Sequence, residues 1–551
     1  MKIIAYLLSQ SRGLGLTAIL AGVVSGGCSA GVVALLSASA RGESTLPLDL
    51  RIRLFIVLVL LVPVTMILTQ YLTARLTFGA VLDIRLRLGR RILQTPLRRL
   101  EELGSHRLLT ALTEDVLTVS SAIMFLPMIW INCSFLIGLL IYLAWLSWFE
   151  MVILLVTTVM SMVTYRLIAS RAMTFMRQVR LQGEKLFNHY RSLTQGTKEL
   201  KLNRRRLEDF FITYEATAEV IRAKNVVART LFMAAGSWVN FLILAVLGAI
   251  LFMPDRDASD AAVLTTFVII MLFVLTLLQK LLDSFAGLGR ADVSLERLEQ
   301  LGFSLEEPAP LELADVREPA SFERLEVVGL THRYRHESSE HEEFTLGPLD
   351  LTFKPSEVVI LSGGNGSGKT TLAKLILGLY TPEKGEIRLD GQPVTEENVE
   401  SYRQLFSTVF SDFYLFEKFF GVRDPKVDEK ARMFLEKLQL DHKVEITEGG
   451  VSTTELSQGQ RKRLALLTSY LEDRPIFVFD EWAADQDPYF KEIFYRELLP
   501  EMKARGKCVI AISHDDHYYS TADRVIRLNY GQIEYEVQGE ELRAREARTL
   551  V

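Results

Sequence analysis

The sequence predicts an all-α membrane domain of six spanning helices followed by a soluble α/β domain. Three observations carry that expectation. Roughly six apolar stretches fill the chain before about residue 290, and the composition turns polar from the neighbourhood of Ala291. A strand-like segment, Val358 to Leu361, then runs through a glycine-rich loop into a helical Leu372 to Leu379. A chain of 551 residues exceeds one ordinary core. The expected division is a membrane domain over 1–300, a linker over 301–320 around Pro308-Ala-Pro310, and a soluble domain over 321–551.

A bilayer core needs about 20 apolar residues per helix. Stretches that meet this are Gly15 to Ala38, Leu54 to Leu76, Ala122 to Ser147, Trp148 to Ala169, Leu231 to Phe252 and Ala261 to Phe285. The first lies in an apolar run from Leu14 to Ala40 with no polar cleavage region, so it is expected to remain as a span. Orientation follows from Arg and Lys in short connections, which stay cytoplasmic. Arg75, Arg85, Arg87, Arg90, Arg91, Arg98, Arg99 and Arg107 lie between spans two and three. Arg177, Arg180, Lys198, Lys201 and Arg204 to Arg206 lie between spans four and five. The Asp-rich Pro254 to Asp260 and the short turn at Ser147 should face outward, which returns both termini to the cytoplasm.

The two basic connections carry helical patterns, at Val81 to Thr95 and Ala172 to Tyr190, so the spans should continue past the membrane. Gly104 to Val116 and Gln195 to Leu202 each read in two ways: as solvated helical turns, or as contacts that pass motion to the soluble domain. Gln70, Asn132, Tyr165 and Asn240 inside spans suit interhelical hydrogen bonds, their commoner use, or a substrate path. Span interiors hold almost no carboxylates, which argues against a proton relay. A net charge of −5 gives no basic field for nucleic acid. Cys28, Cys133 and Cys508 are far apart and lack metal-ligand spacing, so no disulfide or metal cluster is expected.

In the soluble half, Gly363-Gly364-Asn365-Gly366-Ser367-Gly368-Lys369-Thr370-Thr371 has Walker A spacing between a strand and a helix. Backbone N–H groups of such a loop surround phosphate, the following helix N-terminus favours negative charge, and Lys369 neutralises phosphate oxygens. Thr370 can ligate Mg²⁺. The alternative, a glycine turn that binds no phosphate, is made remote by the flanking strand and helix. Downstream, the apolar Pro475 to Phe479 ends in Asp480 and Glu481. There Asp480 can hold Mg²⁺ and Glu481 can polarise an attacking water, which points to ATP hydrolysis.

Leu456-Ser457-Gln458-Gly459-Gln460 resembles the signature motif of ABC transporters, whose usual form has Gly where Gln458 stands. Ser457 can cap a helix beginning near Arg461. The resemblance extends over nearly the whole chain and implies a type I ABC exporter fold. It further implies that Ser457 to Gln460 face ATP on a second copy, so the working unit is a homodimer with ATP and Mg²⁺ as cofactors. Residue by residue, Tyr334 resembles the aromatic that stacks on adenine and His514 the switch histidine. Asp487 resembles the end of the D-loop, and Thr447 to Gly450 a loop found in exporters.

Two departures stand out. Ser411 occupies the place of the family's Q-loop glutamine, and the segment Asp480 to Pro488, with Trp482 to Asp487 inside it, departs from the usual Ala-Thr-Ser-Ala-Leu-Asp pattern. Together they resemble the cyclic-peptide exporter subfamily, which includes exporters of siderophore precursors and lipopeptides. That resemblance implies export of a peptide-like substrate across a bacterial inner membrane. The alternatives are a lipid or glycolipid flippase and a non-transporting membrane ATPase that regulates a partner; a soluble DNA-handling ATPase is remote. No papain-like protease segment precedes the first span, so leader-trimming exporters are not expected.

Overall fold

The computed structural model describes residues 12–41, 47–252, 260–300, 321–335, 343–422, 424–539 and 541. The expected linker at 301–320 and most of Pro254 to Asp260 lie outside them. The chain divides into two compact units, Met1–Leu93 with Leu103–Ala309, and Gln94–Glu102 with Pro310–Val551.

The first unit is helical. Its elements are α1 (Arg12–Arg41) and α2 (Leu48–Gln94), then α3 (Leu97–Leu103), which lies mostly in the second unit, and α4 (Ser105–Thr110). A π-helical turn at Ala111–Asp115 leads to α5 (Val116–Ile123), α6 (Phe125–Leu146), α7 (Trp148–Gln195), α8 (Thr197–Leu202), α9 (Arg204–Leu251) and α10 (Asp260–Gln300). Six helical stretches among the described residues are long and apolar enough to cross a membrane. The helices α2, α7 and α9 run 47, 48 and 48 residues. At 1.5 Å per residue each reaches ~70 Å, more than twice the hydrocarbon thickness of about 30 Å, so each extends well beyond it.

Small residues set the packing of α1 on α6. A Cβ on Gly26 would lie 2.5 Å from the Ile131 carbonyl, and one on Gly138 2.6 Å from Ala30. Ser134 adds a 2.8 Å hydrogen bond to the Val23 carbonyl, the close-approach packing that membrane helices favour. The side chain of Gln279 donates to Asn240 at 3.0 Å, joining α10 to α9, which is the interhelical use expected of Asn240. The Gly104 to Val116 segment belongs to the first unit, with one face buried and Arg107, Leu109, Thr113 and Glu114 exposed. Leu103, Ala111 and Val116 are buried with Ile84, Leu88 and Leu295 in a core of the first unit. The segment that joins the soluble unit is the preceding one, Gln94–Glu102. Its Glu101 pairs with Lys374 at 2.7 Å and accepts from the Tyr380 hydroxyl.

Among the described residues the second unit holds two large sheets and a two-stranded one. An antiparallel one has order β2-β1-β4-β5, from β1 (Leu325–Arg335), β2 (Glu343–Phe353), β4 (Lys384–Leu389) and β5 (Gln392–Pro393). The other has order β12-β11-β3-β10-β9-β6. Its strands are β3 (Val358–Gly363), β6 (Phe406–Val409), β9 (Ile476–Asp480), β10 (Cys508–Ile512), β11 (Arg524–Asn529) and β12 (Gln532–Gln538). All neighbours in this sheet are parallel except the β11–β12 edge pair. A small hairpin joins β7 (Ile446–Thr447) and β8 (Gly450–Val451). The helices are α11 (Lys369–Ile376), α12 (Val399–Arg403), α13 (Val427–Lys437), α14 (Gln458–Glu472), α15 (Pro488–Glu492) and α16 (Leu499–Ala504).

β3, β9 and β10 are buried along their whole length, as apolar strands of a sheet covered on both faces must be. Their period of two sorts residues between two cores. Val358, Ile360, Phe477, Phe479, Val509 and Ala511 enter one core; Val359, Leu361, Ile476, Val478, Ile510 and Ile512 enter the other. The parallel register aligns Ile512 with Asp480 and with Leu361. The carboxyl ends of β3, β9, β10 and β6 therefore open on one edge, where α/β sheets place their ligand chemistry.

Candidate functional site

The loop after β3 is built around positive backbone angles. Gly363 and Gly368 have φ of 144° and 98°. A Cβ at Gly363 would sit 2.2 Å from the Leu528 carbonyl, and one at Gly368 2.8 Å from Leu346, so glycine is required at both. Gly364, Asn365 and Gly366 form the exposed tip, while Ser367 and Lys369 are buried. The Lys369 ammonium donates 3.0 Å hydrogen bonds to the carbonyls of Gly363 and Gly364, which centres it in the loop. Burial pushes its pKa below the usual lysine value, against the pull of Glu481 and Asp480. The helix α11 begins at Lys369, so the first-turn N–H groups of Lys369, Thr370 and Thr371 lack intrahelical acceptors and suit phosphate.

Facing them, Asp480 is fully buried at the end of β9. Thr370 donates to its two carboxylate oxygens at 3.3 and 3.2 Å, and Ser411 at 3.2 Å. Burial raises the Asp480 carboxyl above the usual range despite those two hydroxyls. A buried carboxylate gathered with two hydroxyl oxygens is a hard-oxygen set suited to Mg²⁺, and a divalent cation would offset the desolvated charge. Ser411 therefore reaches Asp480 directly. Beside this set, Nε2 of His514 lies 3.2 Å from Oε1 of Glu481, both side chains being partly exposed.

The signature segment departs from expectation at its helix. α14 starts at Gln458, three residues before Arg461, with Ser457 as its N-cap residue. The Gln460 side chain accepts from the Ser457 N–H at 3.3 Å. Gln458, Gly459 and Gln460 are thus the first turn, whose N–H groups lack intrahelical acceptors; those of Gln458 and Gly459 suit an anion, while that of Gln460 belongs to the capping box with Ser457. The hydroxyl-bearing Ser457 suits the cap because helix starts favour such residues. Among the described residues, Ser457 to Gln460 make no hydrogen bond to the glycine loop. Their cross-segment partners are Asp485, with the Gln458 amide at 3.2 Å, and Gln486, which donates to the Gly459 carbonyl at 3.0 Å.

The backbone of Tyr334 lies in β1 opposite Phe344; its side chain lies outside the described residues. Asp487 caps α15 through the Phe490 N–H at 3.1 Å. Thr447 to Gly450 closes the β7–β8 hairpin through Glu448 and Gly449, whose φ values are 52° and 69°. Sequence reasoning missed Lys462, a buried lysine of α14 that reaches the Glu481 carbonyl. Its available signal was a cation two residues beyond Gln460 on a helix otherwise packed by leucines.

A glycine loop with a buried lysine, a strand-end acid pair and a six-span membrane unit in one chain define a membrane-bound P-loop ATPase. Residues 346–484 match the family described as ABC transporter. The ATP-binding protein SyrD of Pseudomonas syringae pv. syringae is 38% identical over 83% of this chain and 82% of its own length. An ATP-dependent lipid A-core flippase of Dechloromonas aromatica is 28% identical over 87% of this chain and 83% of its own. The solved structure of a bacterial Atm1-family ABC exporter with ATP bound superposes with a TM-score of 0.74. It covers 97% of this chain and 96% of its own at 15% identity, which establishes the fold. The chain belongs to the ABC transporter family. Its form is the exporter half-transporter: a multi-pass membrane protein that binds ATP and couples its hydrolysis to transport.

Proposed function

We propose that two copies of this chain, with membrane domains over 1–300 and ATPase domains over 321–551, export a peptide-like substrate across a bacterial inner membrane by alternating access. The observation behind the dimer is that one chain carries one glycine loop and one signature helix start, and the two share no hydrogen bond among the described residues. Two copies can face each start to the other's loop and enclose two ATP molecules. Lys369 and the first turn of α11 hold the phosphates, and Glu481 orients and polarises the attacking water. His514, hydrogen-bonded to Glu481, meets the γ-phosphate. Thr370, Asp480 and Ser411 are the residues to hold Mg²⁺, which when bound would neutralise charge on the phosphates. The arginine-rich connections support a topology with both termini in the cytoplasm, with ATP.

Ser411 and the Trp482 to Asp487 segment support the peptide-like substrate, cyclic, lipopeptide or siderophore-related, through their likeness to cyclic-peptide exporters. The chain is also more similar to SyrD than to the lipid A-core flippase, though the latter likeness keeps lipid as a second reading. Metabolite profiles of a deletion strain separate them. A peptide that accumulates in cells and vanishes from the medium is the expected result. An unchanged peptide profile with glycolipid retained on the inner leaflet would replace this reading with the second. ATP-dependent uptake into sealed inverted vesicles must accompany either, since its absence would leave a regulator.

A further inference from the structure

Glu481 stands in an unusual backbone state. Its φ is 50°, in the left-handed region, which a residue with a side chain occupies only when its surroundings hold it there. Both of its peptide groups are tied. Its N–H donates to the Ile512 carbonyl at 3.1 Å, and its carbonyl accepts from the Ala484 N–H at 3.3 Å. That carbonyl also accepts from the Lys462 ammonium at 2.7 Å. Lys462 is buried in the second turn of α14, and the same ammonium lies 2.7 Å from the Asp485 carboxylate. The Trp482 indole N–H closes the arrangement by donating to the Lys462 carbonyl at 2.8 Å, while its ring is buried against Phe494.

Two departures from the usual ABC residues meet at this point. Gln458 replaces a glycine that has no side chain to offer, and Asp485 lies in the segment that replaces Ala-Thr-Ser-Ala-Leu-Asp. Here the Gln458 amide and the Lys462 ammonium converge on one oxygen of Asp485, at 3.2 and 2.7 Å. The signature helix start is thereby linked through Asp485 and Lys462 to the peptide that aims Glu481. Asp485 is held below the usual carboxylate range by Lys462, which favours its ionised form.

We propose that Lys462 is a positioning residue for hydrolysis. It fixes the left-handed backbone of Glu481, and with it the carboxylate beside His514, and ties that posture to the signature helix through Asp485 and Gln458. The inference rests on the reading of Glu481 as the base that polarises water. Releasing the carbonyl lets the peptide relax toward negative φ, which swings the carboxylate out of register without touching the phosphate-binding loop. Turnover therefore falls while nucleotide affinity holds.

The test uses the full-length chain in lipid nanodiscs, comparing Lys462→Met, Glu481→Gln and the double variant. Hydrolysis is followed together with equilibrium binding of a fluorescent ATP analogue. Lys462→Met should lower kcat at least about tenfold with KM for ATP and analogue affinity within about twofold of the parent, and should add nothing to the loss caused by Glu481→Gln. A kcat within about twofold of the parent, or an equal further loss on the Glu481→Gln background, overturns the positioning role. Parent-like turnover in Glu481→Gln itself is a different failure, that of the base. If Lys462→Met binds no analogue, Lys462→Gln replaces it, since it keeps a donor but loses the charge that engages Asp485. A fall of about threefold or more with unchanged affinity then supports the role, and parent-like kcat rejects it.

Discussion

Two helix starts in the soluble unit are suited to phosphate, and they are made in opposite ways. At α11 the chain reaches the helix through glycines in positive φ, with a buried lysine bonded to loop carbonyls and a buried carboxylate opposite. At α14 it uses a serine cap and a hydrogen-bonded Gln460, backed by an ion pair. The first start carries buried charge and left-handed backbone, which a triphosphate and a cation would relieve. The second is already satisfied within the chain except for its free N–H groups. A site that binds its nucleotide alone must supply charge, whereas half a site completed by a second copy needs only shape and donors.

Lys369→Met should separate the two starts most strongly. Charge-assisted hydrogen bonds contribute about 1.5–3 kcal/mol, so ATP affinity should fall roughly 10- to 150-fold, with hydrolysis falling at least as far. Analogue binding in nanodiscs measures it. Parent-like affinity would mean that the ammonium is not a phosphate ligand. Ser457→Ala comes next. Losing an N-cap costs about 1 kcal/mol, so hydrolysis should fall by about fivefold. Binding of the analogue at low protein concentration, where single chains predominate, should stay unchanged. An affinity loss equal to that of Lys369→Met would place Ser457 on its own chain's nucleotide and erase the distinction.

The first start was legible in the sequence because its chemistry is local: Gly363 to Thr371 are consecutive, and glycine at fixed spacing has few other uses. Asp480 and Glu481 were legible for the same reason, as a polar ending to an apolar strand. The six spans were legible from composition, since length and apolarity are all that a bilayer demands. What escaped depends on distant residues meeting. Lys462 looked like an ordinary helix cation, and only folding brings it to Glu481 and Asp485. The helix start at Gln458 was misplaced because Gln-Gly-Gln is a poor helix opening by propensity; hydrogen bonding by Gln460 and Gln486 overrides that. The contact made by Glu101 was not read from the sequence, because Leu97–Leu103 is short and its charges look solvated. In the membrane unit, side chains such as Asn240 and Gln279 pair with each other, which leaves no pattern that names a ligand.

Two aspartates give the comparison its smallest and most discriminating test. Burial raises the Asp480 carboxyl, so in the absence of nucleotide the folded chain takes up a proton there more readily than the unfolded chain. The stability this site contributes is therefore lost as pH rises from the ordinary aspartate range through the raised value, and stays lost at neutral pH. Asp485 is lowered by Lys462, so its contribution has the opposite sign: present above the ordinary value and lost as pH falls through the depressed one. Asp480→Asn should thus raise the melting temperature of the nucleotide-free soluble unit by ~2–4 °C at neutral pH, the shift that about 1 kcal/mol produces in a domain of this size, while abolishing hydrolysis. Asp485→Asn should lower it by less than about 2 °C, because that carboxylate is partly exposed and its pairing is screened by water. Scanning calorimetry of the full chain at neutral pH and near pH 4 reads both: the Asp480→Asn difference should shrink at the acidic end, whereas the Asp485→Asn difference should largely persist there and be lost only at still lower pH. Shifts of the same sign at neutral pH would show that the two starts do not differ in stored charge, and that their contrast is one of shape alone.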